Sequence, residues 1–387
     1  MYKTVLWFTL YQNQLTWYAQ YMITDVLILA GGFGERLWPA SSPEKPKQFM
    51  ELNGNLSFLQ NSIRRALALD IPGKILIITR KDIENECTLQ CKRLAVAENT
   101  ANANKILNDC VVIAEPAGRH TAAAIVTGIC FIKKLFENQK RTFLVLTSDH
   151  AISPMENFVS DCKKAAVAAE KGKFVCFAIP PESPSVEYGY IKIDEPVEGC
   201  DSSFVISHFK EKPDLRTARE YLASGKYFWN SGMFAFDADD FMREMKNCTK
   251  EVYDSFAPVF AGKKPCVKKM NDIDVIKDWP EFLKVYETVP KIAVDKAVGE
   301  KTANACAVTT TFSWTDIGNW DVFSKMCTDP VNAKVVQKNC SGNFVYSDIP
   351  VVLCGVSDLV VVAKNGGLLI MKKGSSDLVR EAAKEMK

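Results

Sequence analysis

DVLILAGGFGERLWPASSPEKPKQF, residues Asp25–Phe49, opens as an apolar strand and breaks at a glycine-rich turn. The segment SFLQNSIRRALAL (Ser57–Leu69) follows with the spacing of an amphipathic helix. The same alternation continues along the chain. KILIITR (Lys74–Arg80), CVVIAEP (Cys110–Pro116), TFLVLTSDH (Thr142–His150) and FVCFAI (Phe174–Ile179) read as strands. TAAAIVTGICFIKKLF (Thr121–Phe136) and FVSDCKKAAVAAEKG (Phe158–Gly172) read as helices between them. Strands apolar on both faces, alternating with helices, mean a parallel sheet covered on both sides. The fold class is therefore α/β: a doubly wound, mostly parallel, Rossmann-like sheet with right-handed crossovers.

Past Pro180 the pattern changes to strands of mixed direction: EYGYIKI, FVISHFKEK and MFAFDA, interrupted by the helix DLRTAREYLASG (Asp214–Gly225). From about residue 331 the strands NFVYSD, VVLCGV, LVVVAK and LLIMKK are short and spaced by glycine and aspartate. They predict a small all-β unit, although such spacing alone does not establish a β-helix. A capped helix, SSDLVREAAKEMK, closes the chain. The expected division is an N-terminal extension at 1–21, a main domain at 22–327 and a C-terminal β-rich domain at 328–387.

Composition narrows the possibilities. The 387 residues are 47% hydrophobic and 24% charged, so a disordered or coiled-coil chain is not expected. The net charge of +2 and the lack of a basic stripe argue against nucleic-acid binding. The 13 cysteines are odd in number and form no CxxC, and many sit in apolar runs. That usage predicts reduced thiols and a cytoplasmic location. No apolar run reaches 18 residues, so no membrane span is expected. The first 21 residues are aromatic but lack the basic start and cleavage site of a signal peptide. They read as an annexed upstream start, with Met22 as the natural one, or as an added strand or helix.

In a parallel sheet, ligands bind beyond the carboxyl ends of the strands, and the unusual polar segments fall there. Gly31, Gly32 and Gly34 allow a tight turn whose N–H groups can face a phosphate. Arg36 and Lys47 bracket a Pro39–Pro46 segment and can both reach that anion. The loop is neither a P-loop nor a dinucleotide fingerprint, because Leu37 stands where the third glycine belongs. A glycine turn with solvated charges accounts equally well for these residues alone. Asp149, at the mouth of a strand, suits a Mg²⁺ ligand or a turn cap, and Asp316 in SWTDIGNWD is of the same kind. His150 reads as a hydrogen-bonded structural residue. In FKEKP, Lys210 and Lys212 alternate and should share a face, with Glu211 opposite unless the strand bends. Asn230 and Ser231 lie in an aromatic run and suit sugar hydroxyls or a turn. Gly189 between Tyr188 and Tyr190 suits close sugar approach or a bulge.

Together these segments, with EPAGRHTAAAI, WNSGMF, VPKIAVDKAVGEK and FSWTDIGNWD, resemble the sugar-nucleotide pyrophosphorylases. The extended WP…PKQF element and WNSGMF favour the mannose branch of that family. The resemblance runs in family order from about Ile23 to Asp321 and into the C-terminal unit. It implies GTP and mannose 1-phosphate as substrates, Mg²⁺ as cofactor and a homodimer as a candidate assembly. By position, it gives Ala30, Gly31, Gly32, Gly34, Arg36, Lys47 and Ser148 to the nucleotide. Gly189, Glu211, Lys212 and Asn230 go to the sugar phosphate, and Asp149 and Asp316 to the metal. Arg36, Lys47 and Lys212 would carry the catalytic charge stabilisation. His120, Ala123, Lys296 and Gly299 depart from the family pattern. No histidine-rich segment precedes Lys387, so isomerase activity is not expected. Rival readings are another hexose 1-phosphate or nucleotide, a silent GDP-mannose-binding subunit, and a dinucleotide-dependent dehydrogenase.

Overall fold

The computed structural model describes residues 22–386 except 33, 55, 138, 331 and 332, so the 1–21 extension lies outside the described residues. Its centre is an 11-stranded sheet. The first strands are β1 (Asp25–Ala30), β2 (Ile75–Arg80), β3 (Cys110–Glu115) and β4 (Thr142–Thr147). A short β5 (His150–Ser153) stands apart from the sheet, and β6 (Phe174–Ile179), β7 (Gly189–Pro196), β8 (Ser203–Lys210) and β9 (Tyr227–Asp237) follow. Then come β10 (Cys266–Met270), β11 (Ile273–Asp278), β12 (Ala305–Thr309) and β13 (Ser313–Asp316). The sheet order is β10-β11-β3-β2-β1-β4-β9-β6-β12-β8-β7. The strands from β11 to β4 are mutually parallel, while β9 runs against both β4 and β6.

Alternation across β1 feeds two cores. Val26 and Ile28 pack under helices Phe58–Ala68, Glu84–Ala97 and Met155–Glu170, whereas Leu27 packs under His120–Leu135. The first helix starts where the sequence supplies a capping box: Ser57 accepts from the Gln60 amide, and Gln60 reaches back to the Ser57 amide. Helix Leu215–Ser224 ends at Gly225, which adopts φ 66°. No helix among the described residues is long and apolar enough to cross a membrane, and all 13 cysteines are free thiols.

Chain order reverses at β1. The chain leaves it for β2 and β3 on one side and returns to β4 on the other. A crevice therefore opens at the carboxyl ends of β1 and β4, where Ala30 and Thr147 finish.

Three local expectations change. TSDH is not one strand end: β4 stops at Thr147, and Ser148-Asp149 turn the chain into β5. That turn lets β5 pair with β13, placing His150 opposite Asp316. Asn230-Ser231 form no turn but lie inside the continuous β9. The final helix starts with a 3-10 turn at Ser376–Leu378 and lacks a side-chain cap, because the Ser376 hydroxyl accepts from the Asp321 amide. The C-terminal strands are β14 (Val335–Lys338), β15 (Phe344–Ser347), β16 (Val351–Cys354), β17 (Leu359–Lys364) and β18 (Gly367–Lys372). They form a parallel β14–β16 pair and a β15-β17-β18 sheet.

Candidate active site

The loop after β1 is fastened at its root. The Ala30 carbonyl accepts from Gln48 Nε2 and from Thr79 Oγ1, both at 2.9 Å. Gly34 sits at φ 68°, and a Cβ there would stand 2.7 Å from Lys47 Cβ. Glycine is required for both the turn and the close approach. Ser41 Oγ donates to the Gly34 carbonyl at 2.6 Å, so the chain doubles back and brings Lys47 under the glycine turn. Ser148 continues from β4 and donates its amide to the Leu29 carbonyl at 3.1 Å.

Lys47 Nζ lies 2.6 Å from Asp149 Oδ2 and 3.4 Å from Asp316 Oδ1. Burial opposes the Lys47 charge, but the two carboxylates outweigh it and hold the ammonium firmly protonated. Burial likewise opposes the Asp149 charge, yet Lys47 brings its carboxyl down to about 2. His150 is kept neutral by burial. Its Nδ1 accepts from Trp314 Nε1 at 3.0 Å, leaving Nε2 toward Asp149. Beneath it, the buried Arg65 donates to the His150 carbonyl at 3.0 Å. Ligand atoms of Asp149, His150 and Asp316 all fall within 4.8 Å of one another. With one His150 nitrogen committed to Trp314, the free donors are mainly carboxylate oxygens, a set that suits a hard divalent cation.

The second half of the crevice lies along β7 and β9. Gly189 pairs with Asn230, and a Cβ on Gly189 would meet Glu211 Oε2 at 2.6 Å. Asn230 Nδ2 donates to Asp295 Oδ1 at 2.8 Å. Lys212 Nζ stands 3.6 Å from Glu211 Oε1. The expected alternation of Lys210, Glu211 and Lys212 fails because β8 ends at Lys210 and Lys212 adopts φ 47°. The bend brings Glu211 and Lys212 side by side. Burial, and then Asp295, push the Glu211 carboxyl up to about 7, and burial also raises Asp295. The two halves meet through residues 187–188. Glu187 pairs with Arg36 Nη1 at 2.7 Å, and Tyr188 packs edge-on against Trp229 and Trp314. Gly232, next along β9, faces His150 Cε1.

These contacts thus join the candidates in two groups, Gly34, Lys47, Asp149 and Asp316 in one and Gly189, Glu211, Lys212 and Asn230 in the other, with Arg36 reaching toward the second through Glu187. Three neighbours were not singled out. Asp295 lies in a π-helical turn, Asp295–Gly299, and its signal is a lone carboxylate inside the apolar run AVDKAV. Glu115 ends the apolar strand β3, with the same strand-end signature as Asp149. It approaches the Gly31 position within 3.7 Å and accepts from the Tyr286 hydroxyl at 2.9 Å. Burial raises its carboxyl to about 7. Arg65, on the helix after the glycine loop, carried no distinguishing signal.

A glycine loop after the first strand, with Lys47 between Asp149 and Asp316 beside it, is an arrangement suited to an anionic nucleotide and a divalent cation. The model of the nucleotidyl transferase family matches residues 25–330, and the chain belongs to that family. Its curated relatives are more particular. The mannose-1-phosphate guanylyltransferase RfbM of Salmonella typhimurium is 33% identical over 368 residues, covering 93% of this chain and 72% of that protein. The mannose-1-phosphate guanylyltransferase of Escherichia coli K12 is 32% identical over 373 residues, 93% of this chain and 73% of its own length. A crystal structure from Thermus thermophilus, described as a mannose-1-phosphate geranyltransferase, superposes with a TM-score of 0.76 at 29% identity. It covers 94% of this chain and 99% of its own.

Proposed function

We propose that this enzyme transfers GMP from GTP to α-D-mannose 1-phosphate, releasing pyrophosphate and forming GDP-mannose. The observation that carries the proposal is Lys47 held between Asp149 and Asp316 at the mouths of β1 and β4, beside a second polar pocket. An oxygen of the sugar phosphate forms a bond to the α-phosphorus as the bond to the bridging oxygen of pyrophosphate breaks. Both reactants are anions and no proton need move, so the protein's contribution is alignment and charge neutralisation. Ala30, Gly31, Gly32, Gly34 and Ser148 hold the triphosphate, and Arg36 and Lys47 stabilise its charge. Glu115 reads the base, because guanine presents two adjacent N–H groups that a carboxylate can accept. Lys212 meets the phosphate of the sugar. Gly189 leaves room for the hexose, and Glu211 and Asn230 take its hydroxyls. Asp149 and Asp316 would hold Mg²⁺, which when bound shields charge on the α-phosphate and the leaving pyrophosphate. The free thiols fit a reducing cytoplasm.

The test is pyrophosphate release from a panel of nucleoside triphosphates and hexose 1-phosphates. GTP with mannose 1-phosphate should give the highest kcat/KM. A faster pair would reassign the base or the sugar, and binding of GDP-mannose without any turnover would make the chain a silent subunit.

A further inference from the structure

We infer that the C-terminal β unit is a working wall of the nucleotide site, with Asn365 as the positioning residue that braces the loop carrying Arg36 and Lys47. Asn365 occupies the turn between β17 and β18 at φ 51°, a left-handed conformation that asparagine tolerates. Its side-chain Nδ2 donates to the Pro39 carbonyl at 3.1 Å and to the Ala40 carbonyl at 3.0 Å. The next residue, Ser41, bonds the Gly34 carbonyl, and Gly34 packs on Lys47. A continuous chain of contacts therefore runs from Asn365 through Ala40, Ser41 and Gly34 to Lys47.

The contact is broad. A Cβ on Gly367 would stand 2.6 Å from Pro39 Cβ, so only glycine lets β18 lie against the loop. Arg380 in the last helix reaches Glu35 at 3.4 Å. Leu37, Ala40 and Met50 of the loop share one hydrophobic core with Phe344, Val360 and Met371 of the C-terminal strands. A separate module joined by a linker would not share its core with the loop of another. The loop's own bonds are short-range turns, such as Leu37 N–H to the Gly34 carbonyl and Ser42 N–H to the Lys45 carbonyl, so an external brace adds to the order a nucleotide need not impose on binding.

The inference rests on reading residues 31–47 as nucleotide-binding, so its test needs a readout independent of that reading. Asn365→Gly keeps the left-handed turn but removes both donors, and Asn365→Asp keeps the size but presents an acceptor to two carbonyls. In substrate-free protein, amide hydrogen exchange at Ser41 and Ser42 should accelerate at least tenfold in both variants, with exchange in β1 and β4 unchanged. In turnover, KM for GTP should rise about tenfold, the size of one to two net hydrogen bonds, with KM for mannose 1-phosphate and the melting temperature little changed. Unchanged exchange at Ser41 and Ser42 in both variants overturns the brace, whatever the substrates are. Faster exchange with an unaltered KM for GTP overturns the positioning role. Accelerated exchange in a protein that proves inactive on the whole substrate panel would leave the brace standing and remove the reading of the loop.

Discussion

Replacing Lys47 with methionine keeps most of the stem and deletes the ammonium, which leaves Asp149 and Asp316 facing each other uncompensated. At an effective dielectric near 20, contacts of 2.6 and 3.4 Å correspond to roughly 6 and roughly 5 kcal/mol of attraction before desolvation. Desolvating three ions cancels much of this, and breaking such a buried pair costs ~3 kcal/mol net. Asp149 gives a second measure. Burial favours its neutral form, but Lys47 lowers its carboxyl to about 2 from the ordinary 3.8. A lowered carboxyl stabilises the fold fully above its unfolded value and loses that contribution as pH falls through its folded value. The net effect at Asp149 is therefore worth about 2 kcal/mol above pH about 4, declining as pH falls and gone only below pH about 2. The assay is urea unfolding followed by tryptophan fluorescence, in EDTA and in millimolar Mg²⁺. The wild type should be nearly indifferent to the medium. Lys47→Met should lose about 3 kcal/mol in EDTA and recover about 2 kcal/mol in Mg²⁺, the effect of a cation well above its dissociation constant. An equal loss in both media would refute a shared cation site. No loss in EDTA would show that the three charges are independently hydrated.

Other substitutions separate the roles along the crevice. Lys212→Ala should raise KM for mannose 1-phosphate about tenfold while leaving KM for GTP within twofold, since a half-exposed phosphate contact is worth ~1.4 kcal/mol; equal loss for both substrates would remove the role. Asp149→Ala should reduce turnover at least a thousandfold at every Mg²⁺ concentration in steady-state pyrophosphate release. Glu211, raised to about 7 by burial and then by Asp295, contributes stability that is complete below its unfolded value and declines as pH rises through 7. Glu211→Gln should therefore be more stable than wild type by about 2 kcal/mol at pH about 8, an advantage absent at pH about 4 in thermal melts. Gly34→Ala, forced into a positive φ and against Lys47, should cost ~2 kcal/mol and raise KM for GTP.

Local chemistry was readable from the chain because it is written in short segments. The apolar runs of β1 to β4, the amphipathic spacing of Ser57–Leu69 and the glycine turn each depend on about a dozen neighbours or fewer. What could not be read is long-range pairing. Lys47 and Asp316 are 269 residues apart and meet only because β5 leaves the main sheet to pair with β13. The same pairing puts Trp314 on His150 and fixes its neutral tautomer. Asp295 reaches Asn230 across 65 residues of intervening helices. The bend at Lys212 was hidden because period-two alternation assumes a strand that continues, and β8 stops two residues earlier.

The charge balance of the assembled crevice carries a consequence that no single segment contains. The three cations given to the phosphates, Arg36, Lys47 and Lys212, each already hold a carboxylate: Glu187, the Asp149–Asp316 pair, and Glu211. Asp295 and Glu300 add two more acids on the sugar side, where Glu300 accepts from the Glu211 amide. Six carboxylates therefore face these three cations, and the buried Arg65 behind Asp149, with burial favouring the neutral forms of Glu211 and Asp295, offsets only part of the excess. Two phosphorylated reactants entering such a site meet repulsion unless positive charge arrives with them. A divalent cation arriving with the nucleotide would be held by Asp149 and Asp316 and would free Lys47 for the phosphates. The sugar phosphate must rely on Lys212 until that event has occurred. The order of binding follows from this difference: nucleotide first, sugar phosphate second. Product-inhibition patterns test it, with pyrophosphate noncompetitive and GDP-mannose competitive toward GTP, and the reverse order or random entry would refute the argument.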